Sequence, residues 1–193
     1  MCRGLPILVT TASLVLSASI ARAQVESGPV AGAKLAALKV TAATGEFAGE
    51  EVDYLDKRKD KPTIYAFVQA ASWDRPMARY LRTLDAAVKK TGGDVQIVAV
   101  WLTDDAEKSK EYLPKAQMSL KLELTALVVY AGDKSGPENW GINDRATLTT
   151  VVANGETCAA RFGYVSLNET DVPAVEKALE EVLDNGKAEK KAE

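Results

Sequence analysis

Histidine is absent from the 193-residue sequence, and cysteine occurs only twice. Without histidine the chain cannot build a Ser-His-Asp or Cys-His nucleophile system, and it has no imidazole to serve as a general base. Zinc sites with histidine ligands are excluded too, and two cysteines cannot supply the four thiolates of a cysteine-only site. We therefore expect no metal centre and no bound cofactor.

An excess of basic residues is also missing. The chain has 24 Lys+Arg against 27 Asp+Glu, a formal net charge of −3 at pH 7. Proteins that bind nucleic acid usually carry a clearly basic surface, so we expect no nucleic-acid partner. The length and the apolar fraction of 47% suit one globular domain with a substantial core.

The longest apolar run lies at the N-terminus. Arg3 precedes the apolar stretch from Leu5 to Ile20, and Ala21-Arg22-Ala23 has the A-x-A pattern of a cleavage site. The run approaches membrane-spanning length, so an uncleaved anchor is the alternative. The cleavage pattern favours a signal peptide over residues 1–23. It predicts an exported protein, periplasmic or secreted, with no stable membrane anchor after cleavage.

Cleavage would leave one domain over residues 24–186 and a charged tail over residues 187–193, which we expect to be disordered. The mature chain would have a net charge of −5 and a single cysteine, Cys158. No internal disulfide is then possible, so the core must stabilise the domain.

Two apolar segments, Thr63–Val68 and Val95–Leu102, are typical of strands covered on both faces. Between them, Asp74–Lys90 has the period of an amphipathic helix, with Asp74 as its N-cap and Gly92-Gly93 at its end. Before Thr63, the pattern predicts a loose lead-in over Gln24–Ala33, short strands at Lys34–Val40 and Glu51–Leu55, and a solvated charged loop at Lys57–Lys61. After Leu102, it predicts a helix that begins at Asp104 and kinks or ends at Pro114, a strand within Leu122–Tyr130, and a long loop over Ala131–Arg145. The C-terminal part should form a hairpin of Leu148–Ala153 and Glu156–Tyr164 with a type I′ turn at Asn154-Gly155, and then a helix from Thr170, its cap, to Leu183 that stops at Asn185-Gly186.

The segment Trp73-Asp74-Arg75-Pro76-Met77 follows the first apolar strand and opens the first long helix. It resembles the WCGPC motif of thioredoxin-like proteins, especially exported redoxins and thiol-disulfide oxidoreductases. By element order, the resemblance extends over residues 28–184. It implies a thioredoxin-like α/β fold: a mixed central sheet with a βαβ half, a C-terminal β-hairpin plus helix, and helices on both faces.

The sequence departs from this family at the residues that carry its chemistry. Asp74 and Met77 replace both cysteines of the motif, so neither a thiolate attack nor a resolving step is available there. The family's cis-proline falls near Ala146-Thr147, where there is no proline. Trp140, with Gly141 and Ile142, resembles the aromatic-Gly-Val segment ahead of that proline. The resemblance thus implies a relative with a degenerate CxxC motif and no catalytic residues.

Each candidate residue has a structural and a functional interpretation. Asp74 is expected to cap its helix, or else to act as a polar recognition group. Met77 is expected in the core, and Cys158 as a buried thiol, with a redox sensor or intermolecular disulfide as the alternative. Trp73 and Trp140 would border a binding groove or simply close over the neighbouring loop.

Three functions remain open from the sequence. The first is a non-catalytic envelope component that binds a protein or peptide, or has a structural role. The second is a redoxin-type enzyme that uses Cys158 as its sole thiol. The third is a small-ligand carrier with a groove between Trp73 and Trp140.

Overall fold

A computed structural model describes residues 24–192, so the predicted signal peptide lies outside the described residues. Seven strands form one sheet: β1 (Lys39–Ala42), β2 (Glu51–Asp53), β3 (Thr63–Gln69), β4 (Gln96–Thr103), β5 (Thr125–Ala131), β6 (Leu148–Asn154) and β7 (Thr157–Tyr164). Four α-helices accompany them: α1 (Tyr54–Arg58), α2 (Arg75–Thr91), α3 (Ala106–Leu120) and α4 (Val172–Ala192). None of the helices in the described part of the chain is long and apolar enough to cross a membrane.

The sheet is mixed, with strand order β2-β1-β5-β4-β3-β6-β7. The three strands at its centre, β3, β4 and β5, are parallel, and β6 pairs with β3 in the antiparallel sense. Every residue of β3 is buried, as expected for a strand covered on both faces. The predicted mixed sheet with a βαβ half and a C-terminal hairpin is confirmed.

The two faces of the sheet are covered unequally. The chain steps from β3 through α2 to β4, and from β4 through α3 to β5, in the same direction along the sheet. Crossovers of one hand that step in one direction place their helices on the same face. Accordingly α2, α3 and α4 share one core cluster with Ile64, Ala66 and Val68. The other face packs against the five-residue helix α1, the chain before β1 and the loop after β5.

The N-terminal segment is firmly attached to the outer edge of β7. The amide of Val25 donates to the carbonyl of Gly163 at 3.1 Å, and the amide of Gly32 donates to the carbonyl of Cys158 at 2.8 Å. A Cβ on Gly163 would collide with the carbonyl oxygen of Val25, which explains a glycine there. The expectation of a loose lead-in is wrong, because these residues satisfy the backbone groups of an edge strand.

Short elements near β1 differ from their predicted bounds. The first strand starts at Lys39 rather than Lys34, and the second stops at Asp53. The Asp53 carboxylate accepts from the amide of Leu55 at 3.0 Å and so starts α1 where strand was predicted. In the charged run, Arg58 is buried rather than solvated.

The later helices also differ in detail. Asp105, not Asp104, caps α3, and this helix continues through Pro114 because Leu113 and Ala116 hold it on the sheet. A 3-10 turn capped by Asn168, not Thr170, leads into the last helix. That helix passes the predicted stop at Asn185-Gly186, so the backbone of the predicted disordered tail is helical up to Ala192.

The predicted hairpin is confirmed, but its turn is not type I′. Gly155 has a φ of +57°, whereas Asn154 is not among the described residues with positive φ. Asn154 pairs with Thr157 as the last residue of β6. The loop therefore has glycine at its first central position, the arrangement of a type II′ turn.

Candidate functional site

The Trp73–Met77 motif lies just after the end of β3. A 3-10 turn (Ala70–Ser72) follows this strand, and α2 begins directly after Trp73 and Asp74. The Asp74 carboxylate accepts from the amide of Met77 at 2.9 Å, and Pro76 occupies the first helical turn, where no amide donor is needed. The prediction that Asp74 caps the helix is confirmed, and its carboxylate is exposed.

The two positions that carry cysteine in the thioredoxin motif have different surroundings. Asp74 faces solvent, whereas Met77 is 1% exposed and belongs to the core cluster under α2. A thioether cannot be deprotonated, and a carboxylate cannot exchange with a disulfide. The start of α2 therefore has no sulfur nucleophile.

Aromatic side chains adjoin the motif on the α2 side of the sheet. The indole of Trp73 packs against Trp101 with a centroid separation of 4.8 Å, and its Nε1 donates to the hydroxyl of Tyr112 at 2.8 Å. Tyr112 is 42% exposed, while Trp101 is buried. We call Trp73, Trp101 and Tyr112 the aromatic cluster.

Trp140 lies on the opposite face of the sheet. It is 1% exposed and packs against Tyr65 and Phe67, with centroid separations of 5.2 and 4.9 Å. Its Nε1 donates to the carbonyl of Ala36 at 3.1 Å. Alternate residues of β3 point to opposite faces, and Trp73 and Trp140 belong to different ones. The prediction of a groove between these two tryptophans is therefore wrong.

The Ala146-Thr147 segment connects the ends of three strands. The Thr147 amide donates to the carbonyl of Tyr164 at 2.8 Å, and its carbonyl accepts from the amide of Gln69 at 3.0 Å. Ala146 is buried, and none of the described peptide bonds is cis. Because Gln69 directly precedes the 3-10 turn, this segment lies beside the Trp73–Met77 motif.

Cys158 lies far from the motif along the sheet. Its thiol is 1% exposed and donates to the carbonyl of Pro29 at 3.3 Å. Burial raises the pKa of the Cys158 thiol, against the opposing effect of the Arg161 guanidinium. A buried thiol with a raised pKa is a poor nucleophile, which agrees with the expectation of an inert thiol.

Slow modification of Cys158 in the folded protein is the first prediction. Because the thiol is buried and its pKa is raised, we expect its alkylation by iodoacetamide at pH 7.5 to be about 100-fold slower than that of an exposed cysteine. The control is Cys158→Ser combined with Ser119→Cys, which places the single thiol of residues 24–193 on the exposed surface of α3. Mass spectrometry over time measures both rates. Labelling of native Cys158 at the control rate would contradict this assignment.

Within the described residues, no group of three or more histidine, cysteine, aspartate or glutamate side chains could hold a metal ion. In the acidic loop after β5, the Asp133 carboxylate accepts from the amide and the hydroxyl of Ser135. These hydrogen bonds lower the pKa of Asp133. The loop thus uses this carboxylate to hold its own turn.

Two buried polar residues escaped the sequence analysis. The Asp85 carboxylate, on α2, accepts from the amides of Glu123 and Leu124 and from the hydroxyl of Thr125. Arg58 donates to the carboxylate and the carbonyl of Asp94, at 2.9 and 2.7 Å. For Asp85 a signal existed, because it follows Leu81 by one helical turn and so borders the apolar stripe.

Solved structures share this arrangement of strands and helices. A putative thiol:disulfide interchange protein DsbE from Chlorobium tepidum has a TM-score of 0.58 and 17% identity, over 80% of this chain and 98% of its own. The fold is thioredoxin-like. A peroxiredoxin-like protein from Aquifex aeolicus has a TM-score of 0.57 and 12% identity, over 82% and 91%. The exposed lipoprotein thioredoxin of Streptococcus pneumoniae has a TM-score of 0.53 and 15% identity, over 74% and 98%.

No protein-family model matches the chain, and the search of curated proteins also gives no match. At identities this low, the structural neighbours establish the thioredoxin-like fold and leave the activity open. The resemblance inferred from the Trp73–Met77 motif is therefore confirmed as a resemblance of fold.

Proposed function

We propose that this thioredoxin-like protein is an exported envelope component that binds a protein or peptide and performs no thiol-disulfide chemistry. The observation that carries the proposal is the start of α2, where Asp74 serves as a cap and Met77 is buried. The predicted signal peptide supports export, as does the description of one structural neighbour as an exposed lipoprotein.

The surface beside the motif supports a binding role. Two large apolar side chains that are exposed lie close to the motif, Tyr112 and Val165. Tyr112 belongs to the aromatic cluster, and the carbonyl of Val165 accepts from the hydroxyl of Thr147 at 3.3 Å. Exposed aromatic and apolar side chains are typical of protein-binding surfaces.

The two alternative functions lack such support. An enzyme based on Cys158 would need an accessible thiolate, and this thiol is buried beneath Pro29. A carrier with a ligand between Trp73 and Trp140 would need these side chains on one surface, and the sheet separates them.

Restoring the cysteines tests the proposal and the alignment of the motif together. We expect the mature wild-type protein to reduce no insulin and consume no peroxide above background. Asp74→Cys combined with Met77→Cys should form a disulfide under mild oxidation, because the N-cap and third helical positions adjoin. Once reduced, this variant should gain insulin reductase activity, since a thiol at a helix N-terminus has a lowered pKa. A turbidity assay and thiol titration measure these outcomes.

Helix α3 offers a matched control, because Asp105 caps it and accepts from the amide of Lys108 in the same way. Asp105→Cys combined with Lys108→Cys should form a disulfide under the same conditions, which checks that this pair of helix positions can be bridged. Wild-type catalysis that disappears in Cys158→Ser would overturn the proposed function. Failure of the Asp74→Cys, Met77→Cys pair to oxidise would contradict the alignment of the motif.

A further inference from the structure

The exposed side of α2 carries a continuous row of positive charge. At 100° per residue, its members fall within a stripe about 100° wide, opposite the buried stripe that includes Met77 and Leu84. We call this row the basic ridge; it consists of Arg75, Arg79, Arg82, Lys89 and Lys90, with Ala86 as its one uncharged member.

The basic ridge differs from the other helix surfaces of the molecule. On α3, Lys110 pairs with Glu107 at 2.9 Å, and on α4, Lys177 pairs with Glu181 at 3.9 Å. Helix α2 has one acidic residue, Asp85, and its carboxylate is buried against the start of β5. A cation is unfavourable near a helix N-terminus, and Arg75 lies in the first turn of α2, directly after the carboxylate of the N-cap Asp74.

Charge on the ridge is only partly balanced by the rest of the molecule. Arg79 pairs with Glu169 at 3.1 Å and Lys89 with Glu123 at 2.5 Å. For Arg75, Arg82 and Lys90, no carboxylate of the described residues lies within ion-pair distance. These three cations are concentrated on one helix of a chain whose net charge is −3.

A hollow runs beside the ridge, between α2 and the start of α4. Arg82 and Lys90 border it on the α2 side, and Glu169 and Glu176 border it on the opposite side. Apolar groups of Ala86 and Pro173, both exposed, contribute to its surface. The hollow could thus take an uncharged side chain while neighbouring carboxylates meet the cations.

We propose that the basic ridge docks an acidic segment of a partner protein. Arg75 and Lys90 are separated by a rise of about 22 Å along α2, which an extended segment of about seven residues spans. This inference rests on the proposed binding function and specifies that the partner is acidic. The basic ridge begins at Arg75, within the Trp73–Met77 motif. Charge complementarity would orient the acidic segment on the ridge and increase its rate of association.

The acidic residues of the neighbouring helix α4 favour an acidic peptide segment, rather than an anionic membrane surface, as the partner of the ridge. Glu176 borders the hollow, and Glu180 lies one turn further along the same side of α4. A flat anionic surface would approach these carboxylates together with the cations, whereas a narrow segment can follow the ridge alone. An acidic peptide is therefore the better electrostatic match.

Fluorescence anisotropy with synthetic heptapeptides tests the proposal on the mature protein. The probe is a labelled peptide of four glutamates and three alanines, compared with the same peptide carrying lysine in place of glutamate. We expect the acidic peptide alone to bind, and its affinity to fall at least tenfold between low salt and about 0.5 M sodium chloride. Arg75→Glu, Arg82→Glu and Lys90→Glu combined should reduce the affinity at low salt at least tenfold.

The matched control is Lys108→Glu, Lys115→Glu and Lys177→Glu combined, which changes the net charge equally on the exposed surfaces of α3 and α4. This control should keep the affinity within about twofold. Equal losses in both variants, or no binding of the acidic peptide, would overturn the proposal. So would ridge-dependent binding to phosphatidylglycerol vesicles without peptide binding, which would identify a membrane surface. None of these outcomes depends on the insulin assay, so the two proposals can fail separately.

Discussion

Asp85→Ala is expected to lower the free energy of unfolding by about 3–4 kcal/mol and the Tm by about 10 °C. The Asp85 side chain is 4% exposed, and its two oxygens accept three hydrogen bonds from the first residues of β5 and the chain before it. Alanine would leave the amide of Leu124 and the hydroxyl of Thr125 without this partner. Buried donors without a partner are costly, so the attachment of α2 to β5 should weaken.

Urea unfolding followed by circular dichroism measures the effect. Asp85→Asn keeps the shape and one acceptor oxygen, so we expect it to lose roughly half as much stability as alanine. Asp144→Ala, at an exposed loop position, is the control and should change the free energy of unfolding by less than about 0.5 kcal/mol. A change that small for Asp85→Ala would show that water replaces the carboxylate.

Trp140→Ala should be similarly destabilising, by about 3–5 kcal/mol. The indole is 1% exposed and fills the core on the face of the sheet that has no long helix, against Tyr65 and Phe67. Its removal leaves a large cavity and frees the carbonyl of Ala36, which accepts from Nε1. Thermal unfolding and urea titration measure the loss.

Trp140→Phe should recover most of the lost stability, since a ring still packs in the cavity while the Nε1 hydrogen bond is missing. Trp73→Ala is the comparison on the other face of the sheet. Because the Trp73 indole is only half-buried, we expect a smaller decrease in the free energy of unfolding. If the Trp140→Ala variant were as stable as the wild type but no longer bound a small molecule, the structural role assigned to Trp140 would be wrong. That result would instead support the small-ligand carrier.

Local patterns predicted the elements that place the motif. The strands at Thr63 and Val95 are mostly apolar, and the helix between them has one apolar stripe, an N-cap and a proline in the first turn. These signals lie within short stretches of sequence, so they do not depend on distant contacts. The motif residues Trp73–Met77 then identified the fold to which these elements belong.

Predictions failed where distant parts of the chain decide the outcome. The lead-in has no regular pattern, yet it is ordered because its amides meet the edge of β7. Pro114 would end an isolated helix, but the burial of Leu113 and Ala116 keeps α3 intact. Helix α4 continues past Asn185-Gly186, and no contact of the described residues explains this.

By itself, the sequence determined that neither Asp74 nor Met77 can supply a thiolate, that the chain has no histidine, and the order of the main strands and helices. The tertiary structure alone decided that Trp73 and Trp140 lie on opposite faces, that Cys158 is sealed beneath Pro29, and that Asp85 holds the start of β5. The reason is physical: residue identity fixes which chemistry is available, whereas burial and face depend on pairing between strands and segments far apart in the chain.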